Sequence, residues 1–194
     1  CGWGTVEVPA ALGPTLGNDT VVYRWAPPEE GGGLIGIEDG TGQAGLLDPT
    51  SPAALWWQVK LKDGRTIANT DLSCSTRSTP NTLIFTWTGD IRVVVTSHLG
   101  TDDNLLRSRI HVVVGKSDSG LRDVVFPVLD GIRPLAKDAA DDRLLHAYRT
   151  GYTEPTPLIT GKPVNMRYCD RYYMQFTALL GGGRGLYIGD HDPT

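Results

Sequence analysis

Apolar and polar residues alternate along many short stretches of this chain, and the alternation has a period of two. In Leu55-Trp56-Trp57-Gln58-Val59-Lys60-Leu61, residues Leu55, Trp57, Val59 and Leu61 share one face, while Trp56, Gln58 and Lys60 share the other. Such alternation predicts a half-buried strand. The following Lys62-Asp63-Gly64-Arg65 carries an Asp-Gly pair, a strong hairpin signal. The same grammar predicts strands over Val21–Trp25, Leu34–Glu38, Leu83–Trp87, Ile91–Thr96, Ser108–Val114 and Leu121–Phe126. Within Ser108–Val114, the residues Ile110, Val112 and Val114 are expected to face the core, with Arg109 and His111 pointing away. Near the C-terminus, Tyr172–Leu180 and Leu186–Ile188 flank Gly181-Gly182-Gly183-Arg184-Gly185 and predict a hairpin.

Apolar residues nowhere recur at spacings of three and four over more than about three turns. The nearest helical candidate is Ala139 to His146, one or two turns at most. Residues 127–171 break the rhythm: they hold Pro127, Pro134, Pro155, Pro157 and Pro163 and few strand-length apolar runs. Roughly ten short strands with turns between them predict an all-β fold, a large antiparallel two-layer β-sandwich rather than a single closed barrel. No linker interrupts the chain, so residues 1–194 are expected to form a single β-sandwich domain.

Composition narrows the function classes. The chain has 24 glycines and 13 prolines among 194 residues, and their scatter marks turns rather than low complexity. A formal net charge of −4 provides no basic footprint, so nucleic acid is not an expected partner. No apolar run approaches the roughly 18 residues of a membrane span, and Cys1 to Pro9 lack the charged start and apolar core of a signal peptide. A soluble chain is expected, with a secreted or periplasmic location left open. Cys1, Cys74 and Cys169 share no metal-ligand spacing with His98, His111, His146 or His191, so three unpaired thiols and no metal are expected. A Cys74–Cys169 bridge would need an oxidising compartment. Asn18-Asp19-Thr20 matches the N-glycosylation triplet.

No nucleophile elbow, phosphate-cradling glycine motif or paired-histidine metal motif is present. Gly31-Gly32-Gly33 and Gly181-Gly182-Gly183 open no helix and read as turn glycines. The densest polar group is Asp190-His191-Asp192, able in principle to do acid–base chemistry, although neighbours on a strand point to opposite faces. A second group comprises Asp138, Asp141, Asp142, Arg143 and His146, followed by Tyr148-Arg149. Paired carboxylates could hydrolyse a glycoside, and acidic surface turns are the plainer reading. The Tyr, Arg and Asp content of 141–152 and 167–173 could instead stack on and hydrogen-bond sugars. Trp56, on the polar face with Gln58 and Lys60, is the tryptophan to test as a sugar platform. His98 and His111 are the best placed for a mutarotase- or lyase-like enzyme, which also needs a converging carboxylate.

The run Leu34-Ile35-Gly36-Ile37-Glu38-Asp39, with Leu55-Trp56-Trp57-Gln58-Val59 and Lys62-Asp63-Gly64, resembles the opening of a galactose-mutarotase-like β-supersandwich. Phe126-Pro127-Val128-Leu129-Asp130-Gly131 and the block from Tyr168 to Pro193 are similar to the segment that closes this module in a glycoside-hydrolase-like family. Tyr168-Cys169-Asp170 stands where that family has tyrosine–proline–glycine. In the family the sandwich precedes a catalytic (β/α)8 barrel of roughly 250 residues, too large for what remains here. The resemblance implies a non-catalytic N-terminal sandwich that packs on a C-terminal catalytic barrel and helps shape its cleft. Catalytic carboxylates would lie beyond Thr194, and no cofactor is implied. Tyr148, Arg149, Tyr152, Asp190 and His191 are the implied contributors to carbohydrate contact. The alternatives are a self-contained carbohydrate-binding module and an enzyme acting within the sandwich.

Overall fold

The computed structural model describes residues 13–40, 45–48, 55–115, 120–148, 152–161 and 172–190. More than half of these are in strands, with almost no helix, and every strand pair is antiparallel. The all-β sandwich expected from the alternation is the observed class. The chain divides into two compact units, Cys1–Ile132 and Arg133–Thr194.

The first unit contains three sheets. One has the order β1 (Thr15–Gly17), β2 (Val21–Trp25) and β3 (Leu34–Asp39). Another places β4 (Gln58–Leu61) between β5 (Thr66–Ala68) and β10 (Leu121–Val125). The third runs β6 (Ser73–Thr79), β7 (Thr82–Thr88), β8 (Ile91–His98) and β9 (Arg107–Val114) in sequence order. The Asp-Gly pair does turn the β4–β5 hairpin, with Gly64 at φ 91° and Leu61 N–H bonded to the Arg65 carbonyl at 2.9 Å. A positive φ there suits glycine, which has no Cβ to clash.

Alternation in β7 and β8 is clean because one face is sealed. Leu83, Phe85, Trp87, Val93 and Val95 are each fully buried, and the register sets Trp87 opposite Val93 and Phe85 opposite Val95. The sheets are joined at an aromatic cluster. Trp25 of β2 lies 5.7 Å from Trp56 and 5.9 Å from Phe85, and Trp56 meets Phe85 edge-on at 5.2 Å. Trp57 meets Trp87 edge-on at 5.4 Å. Tilted and edge-to-face pairs of this kind contribute about 0.5–1.5 kcal/mol each beyond the area they bury.

Here the structure corrects the reading of Trp56. β4 starts at Gln58, so Leu55–Trp57 is not strand and the alternation does not apply to it. Both indoles turn inward, with Trp56 1% exposed and Trp57 fully buried. The cause is a polar anchor: the Asn69 side-chain oxygen accepts from the Trp56 amide at 2.8 Å and the Trp57 amide at 3.4 Å. The Asn69 amide nitrogen in turn donates to the Gly31 carbonyl at 3.1 Å, which also accepts from Trp87 Nε1 at 3.0 Å.

The second unit contains one sheet, β12 (Tyr152–Pro155), β11 (Arg143–Tyr148), β13 (Tyr172–Gly181) and β14 (Arg184–Gly189), in that order. The terminal hairpin is as expected, with Gly181 paired to Arg184 across Gly182 and Gly183 at φ 56° and 74°. The reading of Ala139–His146 as helical turns is corrected. Ala139–Asp141 is a single 3-10 turn, and Arg143 onward is strand, hydrogen-bonded on both sides. Residues 127–171, read as irregular, therefore supply two of the four strands of this sheet. Strands β1, β5 and β6 were not legible either, since Thr15–Gly17 and Thr66–Ala68 are short and Ser73–Thr79 has no apolar alternation.

Asn69→Ala removes one donor and a shared acceptor from a fully buried site, so unfolding in urea should show a loss of about 2–4 kcal/mol with an unchanged slope. A loss within 0.5 kcal/mol, the ordinary surface range, would mean that Asn69 does not organise the Trp56–Trp57 turn.

Candidate functional site

Part of the acidic group of the second unit is consumed by the fold. Asp142 is fully buried, and its carboxylate accepts from the Ala136 amide at 2.8 Å and the Leu135 amide at 3.1 Å. The Leu135 carbonyl accepts from Arg184 at 2.6 Å. Asp138 accepts from the Ala140 amide and caps the 3-10 turn, while Arg143 donates to the carbonyls of Ala140 and Asp142. Asp141 is exposed. His146 is buried beside Thr177, whose hydroxyl lies 3.3 Å from Nδ1, and burial pushes its pKa below the ordinary histidine value despite an opposing pull from Glu154. The bonds of Asp138, Asp142 and Arg143 are those of a structural corner.

The remaining carbohydrate candidates fall differently. Trp56 belongs to the core, as described. Tyr148 ends β11 and Tyr152 begins β12, so their backbones flank the connection between two paired strands. Their side chains, and all of Arg149 and His191, lie outside the described residues. Asp190 is exposed just past β14. Among the described residues no cluster of His, Cys, Asp and Glu could hold a metal ion, and no helix is long and apolar enough to cross a membrane. Cys74 is a free thiol whose pKa burial pushes up to about 12, so it stays protonated and unreactive near neutral pH.

The glycosylation triplet is also structural. Asn18 donates to the carbonyls of Gly100 and Asp103 at 2.8 and 2.6 Å, and its oxygen accepts from the Thr20 and Val21 amides. Both amide protons, one of which a glycan would replace, are already engaged.

The described residues of the first unit form at least two concavities. The wider, about 600 Å³, is lined by Pro28–Gly31 and Thr70–Cys74, and its charged side chains are the acidic Glu29, Glu30 and Asp71. The smaller, about 180 Å³, lies on the outward face of β8 and β9 among Arg92, Val94, Thr96, Arg109, His111 and Val113. It is part of a larger surface that the pairing register assembles. Arg107 faces His98, Arg109 faces Thr96 and His111 faces Val94, while Arg77 of β6 faces Ile84 of β7. The outward residues of β6 to β9 thus include four arginines and two histidines, set among threonines and serines, with no Asp or Glu among them.

Ion pairing separates these arginines from others in the chain. Arg24 pairs with Glu38 at 2.7 Å, and Arg65 with Asp63 and Asp90 at 2.9 and 2.7 Å. On the outer face Arg107 pairs with Asp103, which holds that carboxyl below its usual range. Arg77, Arg92 and Arg109 have no ion-pair partner among the described residues. His98 and His111 both sit on this face, exposed, and neither is paired to a carboxylate among the described residues. Sequence reasoning placed Arg109 and His111 on the outward face but missed Arg77 and Arg92, whose proximity depends on strand order.

No family model, curated protein or solved structure matches the chain.

A Cβ at Gly181 would lie 1.9 Å from Asp142 Oδ1, so Gly181→Ala should lower denaturant stability by more than about 2 kcal/mol; a thermal midpoint equal to wild type would refute the contact. His146 titrates below its unfolded value of about 6.5, so the unfolded chain binds the extra proton first as pH falls. Stability should therefore decline as pH drops through about 6.5 toward the lower folded value, and His146→Gln should flatten that decline. Parallel stability–pH curves for the two proteins would contradict this.

Proposed function

We propose that this chain is a non-catalytic β-sandwich of a carbohydrate-active protein and that the outward face of β6–β9 contacts the glycan. The observation that supports this reading is the face itself. It is an extended sheet surface of guanidiniums, imidazoles and hydroxyls with Ile84, Val94 and Val113 among them, and none of its outward strand residues is acidic. Planar donors and hydroxyls in a fixed array suit the many hydroxyl and ring oxygens of a sugar chain. The strands hold these groups at fixed separations, which lowers the ordering cost of binding. On the resemblance drawn from the sequence, the parent protein is a glycoside hydrolase whose barrel this sandwich accompanies, and the chain contributes substrate contact rather than bond cleavage.

The isolated chain should show no turnover of aryl glycosides above the buffer rate and saturable binding to at least one polysaccharide of a panel. Val94→Glu, which places an acid at the centre of the β8–β9 depression opposite His111, should abolish that binding with an unchanged thermal midpoint. Robust glycosidase turnover, or no binding to any glycan, would overturn the proposal.

A further inference from the structure

Resting on that reading, we infer that the glycan taken by the β6–β9 face is an acidic polysaccharide whose charge is a uronate carboxylate. Charge complementarity is the reason. The whole chain carries −4, yet this face gathers Arg77, Arg92, Arg107 and Arg109 with His98 and His111; its strands present no outward carboxylate, and Asp103 beside it is taken up by Arg107. Three of the four guanidiniums lack an ion-pair partner among the described residues. A guanidinium is a rigid fork that binds a carboxylate through two parallel hydrogen bonds, a geometry that a neutral sugar hydroxyl cannot reciprocate.

The spacing selects among anionic polymers. Strands lie about 4.8 Å apart and a two-residue step along one covers about 6.7 Å. The register therefore places Arg109 three strands from Arg77, and one strand and two steps from Arg92, each separation being about 14 Å. Duplex DNA carries one charge per about 1.7 Å, and so sparse a cation array would leave most of its phosphates unmatched. Single-stranded nucleic acid relies on aromatic stacking platforms, and the outward positions of these four strands hold no Phe, Tyr or Trp. A polyuronate has one carboxylate per ring and neutral hydroxyls between. That pattern fits guanidiniums separated by the hydroxyls of Thr96, Thr86 and Ser75, which can bond ring oxygens, and by Ile84, Val94 and Val113, which can pack on the apolar faces of the rings. A heavily sulfated chain has more charge than the face can answer.

The test titrates the full chain by calorimetry with polygalacturonate, its fully methyl-esterified form, heparin and a thymidine oligonucleotide. Expected is binding to polygalacturonate that weakens with added salt, with little affinity for the ester. Arg92→Glu and Arg109→Glu should each reduce that affinity about tenfold or more, the loss of one charge-assisted pair, with thermal midpoints at wild-type values. The conservative Arg109→Lys should retain part of it, since charge survives and the fork does not. Equal affinity for the acid and its ester would overturn the uronate inference while leaving a carbohydrate-binding role standing. No binding to any polysaccharide would remove the proposed function itself. Tighter binding to heparin or the oligonucleotide than to polygalacturonate, or polygalacturonate binding unchanged in both Glu variants, would also overturn the inference.

Discussion

One backbone carbonyl, that of Gly31, organises the first unit. It accepts the indole N–H of Trp87 and the side-chain amide of Asn69, both buried. Asn69 turns its other end onto the amides preceding β4. Three sheets thereby share one polar fastening inside an apolar interior. Unmade hydrogen bonds there would cost about 1–3 kcal/mol each, so the arrangement is specific as well as cohesive. The local backbone must be glycine because Gly31 stands at φ 93° and its Cβ would sit 3.2 Å from the Thr70 backbone.

The aromatic cluster around that fastening has a consequence for function. Trp25, Trp56, Trp57 and Trp87 are all spent on the interior. The familiar means of holding a sugar, an exposed indole against a ring face, is not available from any of them. What the first unit offers instead is a polar sheet face. Its inner side is sealed by Phe85, Trp87, Val93 and Val95, so the outward guanidiniums are mounted on rigid strands rather than on loops.

Legibility in the sequence followed the strength of the burial contrast. Strands β2, β7, β8 and β9 are legible nearly to their ends because one face is buried, or half-buried in β9, and the other wetter, which writes a period of two into the residues. β6 reads Ser-Cys-Ser-Thr-Arg-Ser-Thr: an edge strand needs little apolar surface, and nothing in its residues announces it. β11 was mistaken for a helical turn because Asp138 to Asp142 does begin with one, and the change to strand comes within two residues. The acids grouped there looked like chemistry for the same reason that they are structural, since capping a 3-10 turn and fastening a chain reversal both call for carboxylates next to backbone amides.

The residues alone determined the class of the molecule: short alternating runs punctuated by glycine and proline can bury an apolar face only as antiparallel sheet. They also determined that Arg109 and His111 face outward, because that follows from parity along one strand. Tertiary structure decided the matters that depend on distant partners. Trp56 went inward because Asn69, thirteen residues on, captured its amide. Arg77, Arg92 and Arg109 came onto one surface because three hairpin registers aligned them. Parity is a property of a single strand, whereas the assembly of a charged face is a property of strand order, and no local pattern encodes it.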